Sequence, residues 1–138
     1  GLRYVTIMFD GDENKFFGMD RVDFTKPYFV VEGGIDSFFL DNCIAMAGAD
    51  AKVDSLPNPK NMTIVFDHEY RNKEILNRYR SAISKGFKVC IWPDRVKKYG
   101  KDINAMVMSG LTTEEIATII EENTYKGLMA EAVLSSRR

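Results

Sequence analysis

Four short apolar runs, each cut off by a glycine, a proline or a carboxylate, constrain this chain more than any other feature. They occupy residues 28–32, 43–47, 62–66 and 87–92, five or six residues each. Gly33-Gly34, Gly48, Asp67 and Pro93 close them in turn. Continuous apolar runs of this length, with little alternation, suit parallel strands buried on both faces. Between and after them the spacing turns helical. Residues 71–85 place Ile75, Tyr79, Ala82 and Ile83 on one face, and Gly86 stops the helix. Residues 102–108 read as a short helix. Thr112 and Glu115 form a capping box that opens a helix carrying Ile116, Ile119 and Ile120, ended by Asn123. Leu128, Met129, Ala132 and Val133 share the apolar face of a last helix, and Ile35, Phe38 and Phe39 show helical spacing after the glycine pair. Strand and helix in alternation predict an α/β fold of about four mainly parallel strands flanked by helices, with a helical C-terminal extension.

The remaining segments are less regular. Residues 3–9 alternate like a strand, and residues 10–14 form an acidic turn whose likeness to a calcium loop lacks the glycine and terminal glutamate. Phe16, Phe17 and Met19 are expected to pack on the domain that follows. Residues 49–61, with Pro57 and Pro59, read as a loop. Met62, Met106, Met108 and Met129 stand at core-like positions. Trp92 reads as core at a strand end, with base stacking the alternative.

At 138 residues with 45% apolar and 28% charged content, the chain has the make-up of an ordinary soluble globular domain. A net charge of -1 does not advertise nucleic-acid binding, although an acidic metal site would mask a basic patch in the sum. Cys43 and Cys90 lie far apart with no C-x-x-C, so no zinc is expected and both thiols read as buried and reduced, in a cytoplasmic setting. No apolar run approaches the roughly 18 residues of a membrane span, so no membrane association is expected.

Acids stand where the apolar runs end. The first run leads into Glu32-Gly33-Gly34-Ile35-Asp36, the third into Asp67-His68-Glu69, and the fourth, past a basic loop, into Lys101-Asp102-Ile103-Asn104. In parallel sheets ligands bind beyond the carboxyl ends of strands. Carboxylates gathered there repel one another, and magnesium relieves the repulsion through oxygen ligands. Gly33 and Gly34 would let a metal or phosphate approach the backbone closely. Each piece also has a plainer reading. Glu32 and Asp36 suit a surface pair, and Asp67, Glu69 and Asp102 suit helix caps. The repeated order of strand then acid favours the metal site. His68, between two acids, should point away from both, at the surface or behind the ligands. Arg71, Lys97, Lys98 and Lys101 suit triphosphate or template backbone, or a solvated charged face.

This ordered pattern resembles the Toprim domain of primases, type IA and II topoisomerases and some nucleases. Glu32, Asp67 and Glu69 fill its three main acidic positions, with Glu69 where the family carries a second Asp. Val31-Glu32-Gly33-Gly34-Ile35-Asp36-Ser37-Phe38-Phe39, Phe66-Asp67-His68-Glu69, Lys101-Asp102-Ile103-Asn104-Ala105-Met106 and Gly127-Leu128-Met129-Ala130 are similar to the primases of T-even-like bacteriophages. So is Lys15 to Asp23, with Gly18-Met19-Asp20-Arg21. The resemblance implies RNA primer synthesis on a single-stranded DNA template from ribonucleoside triphosphates. It also implies magnesium, with manganese as the substitute, and a hexameric replicative helicase as partner in the bacterial host cytoplasm. Glu32 would bind metal or act as general acid or base; Asp67, Glu69 and Asp102 would carry metal. Asp36, Asn104, Gly33 and Gly34 would support the site.

The layout that follows is the end of a preceding primase subdomain at 1–27, the Toprim part at 28–110 and the helical extension at 111–138. The chain begins Gly1-Leu2 and carries no cysteine-rich zinc module, so a C-terminal piece of a longer protein is expected. Two rivals stand beside the primase reading: a Toprim nuclease using the same acids for hydrolysis, and a non-catalytic module docking on a helicase through Leu128, Met129, Ala132 and Val133.

Overall fold

The structure, a computed structural model, describes residues 16–48 and 51–138. The expected strand at 3–9 and acidic turn at 10–14 lie outside the described residues. The chain folds as two compact units, divided between Met62 and Thr63. Among the described residues no helix is long and apolar enough to cross a membrane. The class is α/β, with mainly parallel strands flanked by helices.

In the first unit, β1 (Phe16–Phe17), β2 (Tyr28–Val31) and β3 (Cys43–Met46) pair in the order β1-β3-β2. β2 and β3 are parallel, with Val30 opposite Ile44 and Val31 opposite Ala45. All four side chains are buried, as the unbroken apolar runs require. β1 pairs antiparallel with β3, Phe17 opposite Ala45. Asn42, at φ 57°, locks the entry to β2. It accepts from the Asp23 N–H at 2.7 Å and donates to the Asp23 and Pro27 carbonyls at 2.9 and 2.8 Å. Asn tolerates this left-handed conformation better than most residues.

After β2 the helical stripe of Ile35, Phe38 and Phe39 is not formed. Residues Asp36–Phe39 make one 3-10 turn, and burial is inverted. Asp36 and Ser37 are 5% and 2% exposed, whereas Ile35 and Phe38 are 60% and 62% exposed. A four-residue segment wound at three residues per turn cannot sustain a 3.6-residue stripe. Ser37 is also held inward: its hydroxyl donates to the Gly34 carbonyl at 2.6 Å and accepts from Arg21 Nη2 at 3.0 Å.

The second unit opens within β4 (Met62–Val65), at Thr63, and continues with α1 (Lys73–Ser84) and β5 (Lys88–Cys90). A 3-10 segment follows (Asp94–Tyr99), then α2 (Ile103–Met108), α3 (Thr113–Glu122), β6 (Thr124–Tyr125) and α4 (Gly127–Ser135). β4 and β5 are parallel, Ile64 opposite Val89, and β6 pairs antiparallel with β5. α1 buries Ile75, Tyr79, Ala82 and Ile83, the face expected from spacing. Asn72 caps it by accepting from the Glu74 and Ile75 N–H groups, a contact worth about 1 kcal/mol. The Thr112–Glu115 capping box is present in both directions, and Ile116, Ile119 and Ile120 are buried.

Trp92 is core, its indole N–H donating to the Phe66 carbonyl at 2.9 Å. Cys43 and Cys90 are buried free thiols; burial pushes the Cys43 thiol up to about 12 and Cys90 higher still. Two expectations need correction. Met62 and Met106 are fully buried, but Met108 and Met129 are exposed. Met108 ends a six-residue helix, where the turn that would have covered it stops. On α4 the buried residues are Ala130 and Leu134, not the expected face. Apolar residues run nearly round this helix, so composition leaves its rotation open. Packing against α1 and β6 decides it.

Candidate functional site

In the first unit, Glu32 follows directly on β2 and is half-buried. Gly33 and Gly34 follow with φ outside the left-handed region, so their role is space. A Cβ at Gly33 would stand 2.8 Å from Asp36 Oδ2, and one at Gly34 3.8 Å from the Phe17 ring. The Asp36 carboxylate thus folds back over the Gly33 backbone. Asp36 is the more buried of the pair, a point its supporting assignment did not anticipate.

In the second unit, one carboxylate oxygen of Asp67 and one of Asp102 lie within 4.8 Å of each other. The backbone explains why. The His68 N–H donates to the Lys101 carbonyl at 2.6 Å, which ties the end of β4 to the turn before α2. The Tyr79 hydroxyl donates to the Asp67 carbonyl at 3.0 Å, and the Glu69 N–H donates to that carbonyl at 3.0 Å. Asp102 is also the N-cap of α2, accepting from the Ala105 N–H at 2.8 Å. Capping therefore does not remove Asp102 from the neighbourhood of Asp67. Gly100 sets up the turn at φ 122°, and a Cβ there would meet Ala105 Cβ at 2.4 Å. Both acids are half-buried. Two carboxylates this close repel unless a cation or proton intervenes, and hard oxygen donors of this kind suit a divalent cation such as magnesium.

Glu69 is not part of that close pair. It faces Lys101 instead, Oε1 to Nζ at 3.9 Å with both side chains partly exposed; such a pair contributes at most about 1 kcal/mol. Asn104 is half-buried in the first turn of α2. Arg71, Lys97 and Lys98 are exposed. Lys97 donates to the Arg138 carbonyl at 3.5 Å, and the Lys98 ammonium sits 5.3 Å from the Tyr99 ring centre.

Of the two places expected for His68, the surface is ruled out. It does not lie at the surface: it is 3% exposed, and neither ring nitrogen has a hydrogen-bond partner. The alternation that turns it from the acids turns it into an aromatic cluster, with rings in contact from His68 to Tyr70 to Tyr79 to Phe66. Burial lowers its pKa to about 4, partly offset by Asp94 and reinforced by Lys97 and Arg137, so the imidazole is neutral at pH 7. Tyr79 escaped the sequence reading as a site residue. Its position on the apolar face of α1 marked it as core, and the signal it carried, a hydroxyl on a buried stripe, asks for an acceptor.

No protein-family model matches the chain. It is similar to the DNA primase of Enterobacteria phage T4, 33% identical over 134 residues. The match takes in 96% of this chain and 39% of the relative's length. The resemblance to phage primases drawn from the motifs is met by this likeness.

Proposed function

We propose that this chain is the metal-binding catalytic part of a DNA primase, acting in nucleotidyl transfer for RNA primer synthesis on single-stranded DNA. The observation that carries the reading is the Asp67–Asp102 pair, held by backbone bonds in a chain similar along nearly its whole length to a phage primase. Asp67 and Asp102 would hold a divalent cation; magnesium, or manganese in its place, would neutralise charge on the transferring phosphoryl group. Glu32 is the candidate general acid or base. Glu69 and Lys101 flank the acids, and Asn104 supports the first turn of α2. Arg71, Lys97 and Lys98 are the cations available to triphosphate or template backbone. On this reading residues 28–110 form the Toprim part. The working partners are a single-stranded template, ribonucleoside triphosphates and a hexameric replicative helicase, in the bacterial host cytoplasm.

Calorimetric titration with magnesium and manganese tests it. Wild-type protein binds either ion, and Asp67→Asn and Asp102→Asn bind weakly or not at all. Equal behaviour of the three proteins would sink the proposal. The exposure of Leu128 and Met129 at the start of α4 favours a second role, docking on the helicase; Leu128→Asp should then abolish partner binding while leaving metal binding intact.

A further inference from the structure

Beside the Gly33-Gly34 turn, the first unit presents three exposed apolar side chains, Phe17, Ile35 and Phe38. Phe17 and Phe38 meet edge to face, 5.6 Å between ring centres at 82°. The Arg21 guanidinium lies over both rings, 5.1 Å from the Phe17 centre and 4.9 Å from that of Phe38. This arrangement is built rather than incidental. Arg21 Nη2 is anchored on Ser37 Oγ at 3.0 Å, and Ser37 in turn on the Gly34 carbonyl. A Cβ at Gly18 would stand 3.1 Å from the Arg21 guanidinium. The Phe17 ring packs over Gly34.

Two features decide what this patch suits. Large apolar side chains are normally the first to be covered, yet Phe38 is 62% exposed and Phe17 42%. Arg21 is exposed, and it forms no ion pair with a carboxylate among the described residues. A cation with no carboxylate partner among the described residues, held against two exposed rings, is complementary to a ligand that is both anionic and flat. A nucleotide unit is such a ligand, its phosphate meeting the guanidinium and its base meeting the ring. A purely apolar peptide would leave the guanidinium to be desolvated without compensation.

We propose that Phe38, with Phe17 and Arg21, forms a stacking platform for single-stranded nucleic acid, a base lying on the Phe38 ring and the adjoining phosphate at Arg21. The proposal rests on the primase reading and deepens it by assigning part of the template contact to a segment outside the acidic residues. Stacking of this kind reads no sequence, because every base has a π-face.

Fluorescence anisotropy with the whole chain tests it. The probes are a short labelled oligothymidylate and a strand of equal length made of abasic sites. Phe38→Ala, a substitution at an exposed ring, should weaken oligothymidylate binding about five-fold or more and leave abasic-strand binding unchanged. Phe38→Tyr should bind like wild type. Arg21→Gln should weaken both strands and reduce the log–log salt slope by about 0.7, one phosphate's worth on a single strand. Unchanged oligothymidylate affinity for Phe38→Ala, or equal loss on both strands, overturns the platform. So does an absence of single-strand binding by wild type at low salt. The primase reading is judged separately, by cation binding in Asp67→Asn and wild type.

Discussion

Asp102 has two jobs in this account, and paired substitutions separate them. Asparagine keeps the cap on the Ala105 N–H and removes the charge; alanine removes both. Asn and Asp are equivalent N-caps, and losing one costs about 1 kcal/mol. The charge acts in the opposite sense without a cation. With carboxylate oxygens within 4.8 Å, the repulsion is about 0.9 kcal/mol in a water-like dielectric and about 3.5 at an effective value of 20. Both side chains are half-buried, so the lower end, near 1 kcal/mol, applies. In chelator, then, Asp102→Asn should be the most stable of the three proteins. It should exceed Asp102→Ala by about 1 kcal/mol, or roughly 4 °C in melting temperature at this chain length. Cap loss and charge relief nearly cancel in Asp102→Ala, which should melt close to wild type. Addition of magnesium at about a hundred times its dissociation constant stabilises a binding protein by about 2.7 kcal/mol. Wild type should gain that much and both variants much less. Thermal melts with and without the ion read all six values. If asparagine is no better than alanine in chelator, the capping argument fails. If Asp102→Asn gains as much from magnesium as wild type, the ligand argument fails.

Other substitutions probe the frame around the acids. Gly100→Ala should destabilise the protein by about 1–3 kcal/mol, because its φ is 122° and its Cβ would overlap Ala105; denaturant unfolding measures it. Tyr79→Phe should cost about 1 kcal/mol and loosen Asp67, seen as weaker manganese affinity, since the hydroxyl bond to the Asp67 carbonyl is lost. His68 sets a pH dependence. Its folded pKa of about 4 lies below the ordinary 6.5, so the unfolded chain takes up the proton first. Its contribution is complete above pH 6.5 and is lost as pH falls towards 4. Between pH 6.5 and 5 the loss is about 2 kcal/mol. His68→Leu should flatten that slope in urea unfolding; an unchanged slope would show the imidazole is solvated.

The parts of the fold legible in the sequence were those with several repeats of one period. Ile75, Tyr79, Ala82 and Ile83 span more than two turns of α1, and the Thr112–Glu115 box carries a local chemistry of its own. The four apolar runs all became strands. β1 and β6 were missed because each has two residues, too few to show any alternation. Their pairing comes from neighbours, β3 and β5, distant in sequence. The turn at Asp36–Phe39 was misread for a related reason: what buries Ser37 and exposes Phe38 is Arg21, sixteen residues away, and no local pattern carries that. Around Asp67 and Asp102 the residue types and their order stand in the sequence. The bond from His68 to the Lys101 carbonyl, which brings Asp67 and Asp102 together, is a backbone contact that side-chain identity does not encode. For His68, alternation gave the direction away from the acids but not what lies there, which is the ring cluster of Tyr70, Tyr79 and Phe66.

The central claim is that acids from separate stretches of the chain hold one divalent cation. Iron(II) substituted for magnesium, with ascorbate and peroxide, cuts the backbone beside the site it occupies. The account predicts cuts confined to the neighbourhoods of Asp67 and Asp102, suppressed by excess magnesium and absent in Asp67→Asn. Cuts at one of these stretches alone, or cuts elsewhere that magnesium does not suppress, would contradict it.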